Sequence, residues 1–151
     1  MIESGAPWKD LSVGPPTPTG ESQPFWDAVA DGRLLLQSCA QCSTVQGYPR
    51  RRCVQCWSDD LHWVESRGEG VVVTFTEVHR PGQAAWAEVA PYVVGLVRLE
   101  EGCTMLTHLL AGGGDLHVGD EVHFTPTQVG GWVLPFFRAV SRERSGSHQT
   151  T

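Results

Sequence analysis

The residues with the clearest chemical purpose lie in CAQCSTVQGYPRRRCVQC, residues 39–56, where four of the chain's five cysteines occur in two identical frames. Cys39, Cys42, Cys53 and Cys56 form Cys-x2-Cys-x10-Cys-x2-Cys. Each two-residue gap lets one turn present two thiolates at the separation a tetrahedral ion needs, and the stretch between can fold as a hairpin that brings the turns together. Zinc suits four soft thiolates best; a rubredoxin-like iron site has the same geometry. The alternatives are redox disulfides or unrelated thiols, which a reducing compartment disfavours. Four protein thiolates leave no position for water or substrate, so the expected Zn2+ is structural.

Arg50, Arg51 and Arg52 sit between the two frames. The formal net charge of the chain is -6, and residues 39–57 are its only locally basic stretch, with three arginines and no acidic residue. Four thiolates and a divalent ion leave the loaded segment at only about +1. That is too little for nucleic-acid binding by charge, which needs a broad basic face. The arginines are left as a ligand-binding candidate, able to clamp the phosphates of a small anion such as coenzyme A, or as a solvated turn.

Other reactive side chains lack a frame. Cys103 has no base or oxyanion donor nearby in sequence. The six histidines, His62, His79, His108, His117, His123 and His148, show neither His-x-x-x-His nor His-x-Glu spacing. Gly112 to Gly114 lacks the Lys-Ser/Thr of a phosphate loop. Glu100 with Glu101 and Asp120 with Glu121 fall at turns, where charge keeps loop tips solvated. No catalytic residue is assigned. Trp8, Phe25, Trp26 and Trp86 lie outside the expected barrel strands, where rigid aromatics either anchor a partner or pack the short helix.

The elements that position these residues follow from composition and period. Residues 1–22 carry Pro7, Pro15, Pro16 and Pro18 among Gly, Ser and Thr, which predicts a flexible arm. PFWDAVADGRL predicts a short helix from Pro24 to a C-cap at Gly32. Strands at Leu34 to Gln37 and Val45 to Tyr48 flank the first cysteine pair. Five further strand-like segments run from VVVTFTEVH to WVLPFFRAV with Gly-containing turns and no helix between them, which predicts a small antiparallel OB-like barrel, with a sandwich as runner-up. Gly70 or Gly95 suits a sharp bend. The fold class is mostly β, divided as arm 1–22, helix and four-Cys ribbon 23–62, barrel 63–140 and disordered tail 141–151. The first residues lack an apolar h-region and no apolar run spans a bilayer, so a cytoplasmic location is expected.

In this order the features resemble a known family. PFWDAVADGRLLLQSCAQC, YPRRRCVQC, VVVTFTEVHR, PYVVGLVRLEEG and VGDEVHF are similar to the acyl-CoA-associated zinc-ribbon and OB-fold proteins, domain of unknown function family 35, over about residues 23–140. The resemblance implies a rubredoxin-like ribbon fused to an OB barrel, with a structural metal held by Cys39, Cys42, Cys53 and Cys56. It also implies a small partner of thiolase-superfamily enzymes (thiolases, lipid-transfer-protein-like aldolases, acyltransferases), in some systems joined to a MaoC-like enoyl-CoA hydratase, with roles that include steroid side-chain breakdown.

The expectation is therefore a non-catalytic accessory subunit in a hetero-oligomer that meets acyl-CoA only indirectly. A free-standing acyl-CoA-binding or handover module is the alternative. A single-stranded nucleic-acid binder is weaker, because the chain is acidic.

Overall fold

The computed structural model describes residues 1–141. The expected tail falls outside the described residues except for Ser141. Chain order is one α-helix, three ribbon strands and five barrel strands, with 3-10 turns at Trp8–Asp10 and Ala84–Val89.

Helix α1 spans Gln23–Ala30 and starts with Pro24 in its first turn, where a missing N–H costs nothing. Gly32 ends it in the left-handed region at φ 79°, where glycine is free of the Cβ penalty. Phe25, Ala28 and Val29 are buried on one side. An eight-residue helix is marginal alone, and this buried face holds it against the strand Leu35–Cys39 and the last barrel strand.

β1 (Leu35–Cys39) is the centre of a three-stranded antiparallel sheet, with β2 (Val45–Gln46) on one side and β3 (Leu61–Glu65) on the other. The expected division at 62/63 thus falls inside β3, a strand paired with β1 along its whole length. Ser66 and Arg67 then cross to the barrel and are tied to it by Glu101, whose carboxylate accepts from the Ser66 hydroxyl at 2.9 Å and the Arg67 amide at 3.0 Å.

The barrel strands are β4 (Glu69–Val78), β5 (Tyr92–Leu99), β6 (Thr104–Leu110), β7 (Glu121–Val129) and β8 (Trp132–Ala139), closed in the order β4-β5-β6-β8-β7. β4 reaches both neighbours: it pairs with β5 from Gly70 to Val78 and with β7 over Glu69–Val71, with a bulge between Val72 and Thr74. The bend requires glycine. A Cβ on Gly70 would stand 2.6 Å from the Arg98 carbonyl oxygen, and one on Gly95 would collide with the Thr74 carbonyl. Closure leaves the alternate residues Val72, Val97, Met105, Val122 and Phe137 inside, in a core continuous with Phe25, Val29 and Leu36 of the helix and ribbon.

The N-terminal stretch differs from the expected flexible arm. β4 covers β7 only over Glu121–His123, so the later half of β7 has an open edge, and the arm occupies it. The Glu3 amide donates to the Pro126 carbonyl and the Gln128 amide to the Glu3 carbonyl, both at 2.8 Å. Gly130 donates to the Trp8 carbonyl at 3.0 Å, Glu3 pairs with Arg138 at 2.6 Å, and Leu11 is buried with Val89, Val129 and Phe136. Glu3 bridges the edge at Thr127, and Pro7 then leads the chain into the 3-10 turn Trp8–Asp10 beside it, so the unpaired edge has a segment of the same chain on it.

Candidate metal centre

The doubled cysteine frame is a doubled structure. In the first turn the Cys39 amide donates to the Thr44 carbonyl at 2.9 Å and the Ser43 amide to the Cys39 carbonyl at 2.9 Å; in the second, Cys53 donates to Ser58 at 2.8 Å and Trp57 to Cys53 at 3.0 Å. The residue after each second cysteine, Ser43 at φ 63° and Trp57 at φ 66°, is left-handed, which turns the chain back so that both sulfurs of a pair face the same point. One cysteine of each pair is buried (Cys39, Cys53) and one exposed (Cys42, Cys56).

The four sulfurs fit a tetrahedral ion. All lie within 4.8 Å of one another, with Cys39–Cys56 and Cys42–Cys53 at 3.6 Å. Thiolates about 2.3 Å from zinc in a regular tetrahedron are separated by about 3.8 Å. The thiols titrate as a set: the Thr44 hydroxyl, then the Thr44 backbone, hold Cys42 down at about 6, while against a backbone hydrogen bond from Ser58 that lowers it, desolvation and the other three thiols push Cys56 up to about 12. The donor set and spacing are those of a structural zinc site, and the Zn2+ it takes crosslinks the two turns.

Two buried glutamines, which sequence reasoning passed over, hold the arginine loop beside the metal site. Gln37 of β1 and Gln46 of β2 face each other across the strand pair, and the Gln46 side chain donates to the Gln37 side-chain oxygen at 2.8 Å. Gln37 also accepts from the Arg50 amide at 2.8 Å and donates to the Arg50 carbonyl at 2.9 Å, while Gln46 accepts from the Val54 amide at 3.0 Å. The backbone of residues 50–54 is thus clamped at both ends, with Cys53 turned in to the metal site and Arg50, Arg51, Arg52 and Val54 exposed.

Arg50, Arg51 and Arg52 line one open recess of about 470 Å3 with Val54 and Trp57, and Arg52 donates to the Trp57 carbonyl at 3.1 Å. Among the described residues none of the three has an acidic partner. The aromatic candidates are distributed differently from the expectation. Phe25 is a core residue, 4% exposed, and meets Trp26 edge-on at 5.1 Å; the amphipathic helix buries it, so it offers nothing to a partner. Trp26 is half-buried and lines a recess with Pro15, Pro16, Pro18 and Trp132. Trp8 and Trp86 are half-buried in one cluster around His108, which stacks on Phe136 at 4.5 Å and on Trp86 at 5.0 Å. Burial there pushes the His108 imidazole down to about 4, and its Nδ1 has no hydrogen-bond partner among the described residues. The exposed aromatics are Trp57, Tyr48 and Trp132. Cys103 is buried in the main core and burial raises its thiol to about 11, which makes it a packing residue.

Comparison with known proteins places this geometry. The family model described as the ChsH2 rubredoxin-like zinc ribbon domain matches residues 26–62, and that of the ChsH2 C-terminal OB-fold domain matches residues 63–125. A DUF35 domain-containing scaffold protein of Methanothermobacter thermautotrophicus is 30% identical over 91 residues, 59% of this chain and 68% of that protein. Two larger relatives are the probable enoyl-CoA hydratase alpha subunit of Thermomonospora curvata, 33% identical over 91% of this chain, and the 3-oxo-4,17-pregnadiene-20-carboxyl-CoA hydratase alpha subunit of Mycobacterium tuberculosis, 31% identical over 79%. The chain spans only 44% and 38% of their respective lengths. Among solved structures, a chain of the Ltp2-ChsH2(DUF35) aldolase superposes with a TM-score of 0.71 at 31% identity, over 83% of this chain and 98% of that one. A DUF35-family protein of unknown function from Sulfolobus solfataricus, 16% identical with a TM-score of 0.57, shares the fold over 80% of this chain and 85% of its own. With a four-thiolate ribbon, a closed five-stranded barrel and these relatives together, the chain belongs to the DUF35 family, in its ChsH2-like zinc-ribbon and OB-fold form.

Proposed function

We propose that this chain is a non-catalytic accessory subunit that binds a thiolase-superfamily enzyme (thiolase, lipid-transfer-protein-like aldolase or acyltransferase) acting on acyl-CoA, in steroid side-chain or other lipid breakdown. The observation that carries the reading is the match, over 83% of this chain and 98% of the other, to a chain of the Ltp2-ChsH2(DUF35) aldolase. The closed metal site supports it, because four thiolates saturate zinc and give it a folding role. The names of the two hydratase alpha subunits support a second contact, with a MaoC-like hydratase carried separately or on a longer chain. In this arrangement the ribbon and barrel form a rigid body that places two catalytic centres near each other, and acyl-CoA is held by the enzymes.

Co-expression of the chain with each thiolase-superfamily enzyme of its host, followed by size-exclusion chromatography of the tagged chain, is the direct test. The expected result is a stable hetero-oligomer with one of them and acyl-CoA turnover that depends on the enzyme's own catalytic residues. Absence of any complex, together with turnover of acyl-CoA by the isolated chain, would refute the assignment.

One observation favours a second reading, a free acyl-CoA-binding or handover module: the three arginines share a recess large enough for a phosphorylated ligand. Calorimetry with coenzyme A thioesters separates the two, since only the second requires binding by the isolated chain that a triple Arg→Ala variant loses.

A further inference from the structure

Four of the eight exposed large apolar side chains among the described residues belong to one region, while Met1, Val118, Trp132 and Val140 line neither of its recesses. Trp57, Leu106, Val54 and Tyr48 are 73%, 58%, 54% and 44% exposed. Val54 and Arg50 line two recesses at once: one of about 470 Å3 that continues to Trp57, the other of about 240 Å3 that continues to Tyr48 and Thr104. The Leu106 amide donates to the Tyr48 hydroxyl at 2.5 Å, which joins the ribbon end of this face to strand β6 of the barrel. The result is one face running from the second cysteine turn, across the seam, onto the barrel.

Trp57 carries the argument furthest. It holds a left-handed backbone, φ 66°, that a bulky L side chain disfavours and glycine adopts freely, yet its side chain is turned to solvent. A position that sacrifices local stability to present a tryptophan to water is one whose ring has a use outside the fold. Beside it stand arginines with no acidic partner among the described residues, in a chain whose net charge is -6. Tryptophan, tyrosine and arginine are the residues that concentrate binding energy at protein interfaces.

We infer that Trp57, Val54, Tyr48 and Leu106, rimmed by Arg50 and Arg51, are the face by which this chain docks on its enzyme, and that the enzyme's matching surface is apolar at its centre with carboxylates at its edge. The inference rests on the accessory-subunit reading and adds to it the surface and its chemistry. A protein surface is favoured over a small anion because the face is shallow, spans two recesses and has four apolar side chains where an anion needs converging donors. The clamped backbone of residues 50–54 keeps the face preformed, so little order has to be created on binding.

The test uses the zinc-loaded chain and the host thiolase-superfamily enzyme that forms the stable complex, with affinity measured by biolayer interferometry. Trp57→Ala is expected to weaken binding at least tenfold. Arg51→Glu is expected to weaken it more at low salt than at high salt. Trp132→Ala, at an exposed tryptophan lining a separate recess, is expected to leave it unchanged. Trp57→Gly separates docking from folding: the relieved backbone should raise the thermal midpoint while affinity falls as in the alanine variant. Trp57→Gly or Arg51→Glu chains that contain one zinc and bind as tightly as the parent overturn the docking face and leave the accessory-subunit reading standing. Failure of the parent chain to bind any such enzyme removes both. Arginine-dependent binding of free coenzyme A, with enzyme affinity unchanged in the variants, would replace the inference by the small-anion reading.

Discussion

At the scale of single residues, burial redistributed roles that sequence could assign only by type. Cys39, Cys42, Cys53 and Cys56 were legible because their spacing alone encodes a tetrahedron. Phe25 and Trp57 were not, since an aromatic residue looks the same in sequence whether a helix buries it, as for Phe25, or a left-handed turn exposes it, as for Trp57. His108 shows what such burial does. Trp8, Trp86, Tyr92 and Phe136 surround its ring. Burial therefore lowers the imidazole from 6.5 to about 4 in the folded chain. The unfolded chain takes up a proton as pH falls through 6.5 and the folded chain does not, so stability is complete above that value and drains away between 6.5 and about 4. The full loss is on the order of 3 kcal/mol. Urea unfolding at pH 7.0, 5.5 and 4.5 should show a falling midpoint, and His108→Phe should flatten that part of the curve; an unchanged slope in the variant would place the acid sensitivity elsewhere.

At the scale of elements, the five strand-like segments separated by Gly-containing turns were legible, and closure joins them into one barrel. The ribbon was less legible. Its strands are short, and the expected division at 62/63, where the two matched family models also meet, cuts β3, because pattern cannot show which sheet a strand joins. The Gln37 and Gln46 pair was invisible for a related reason: only the folded hairpin brings the two amides to the backbone of residues 50–54. Gln37→Leu keeps the volume and strands the Arg50 N–H and C=O without partners, at a cost of about 2–3 kcal/mol. Amide exchange of residues 50–54 is expected to accelerate in this variant while that of β5 and β6 is unchanged. Metal removal acts on the same element from the other side. Since the free energy of zinc binding is folding free energy here, a strong chelator or Cys53→Ser should release β1 to β3 together, abolishing both metal content and enzyme docking. Zinc measured by emission spectroscopy, alongside the size-exclusion profile with the enzyme, checks this; a soluble, metal-free chain that still docks would contradict it.

At the scale of the whole molecule, the N-terminal stretch determines whether the barrel is a finished object. Closure of β4 through β8 leaves residues 126–129 of β7 and the turn after it as an open edge, and an open edge accepts any extended strand, including that of another copy. Residues 3–11 fill it from within: Glu3 takes the backbone groups of Pro126 and Gln128, Trp8 takes the Gly130 amide and meets Phe136 edge-on at 5.1 Å, and Leu11 is buried beneath. Proline content alone suggested a free arm, since composition reports on chain stiffness and not on whether a complementary edge waits elsewhere. Burying a leucine and most of a tryptophan contributes about 1.5–3 kcal/mol each before the hydrogen bonds are counted. Deleting residues 1–13 should therefore lower the unfolding free energy by several kcal/mol and uncover both the β7 edge and the aromatic cluster. Analytical ultracentrifugation of the shortened chain should show concentration-dependent self-association that the full chain lacks. Trp8→Ala, which leaves the Glu3 bridge in place, should lose about 2 kcal/mol of stability and remain monomeric. That contrast separates the two jobs of the segment, with Trp8 sealing the aromatic cluster and Glu3 blocking the edge. A shortened chain that stays monomeric and melts with the parent would mean that the barrel is complete without it.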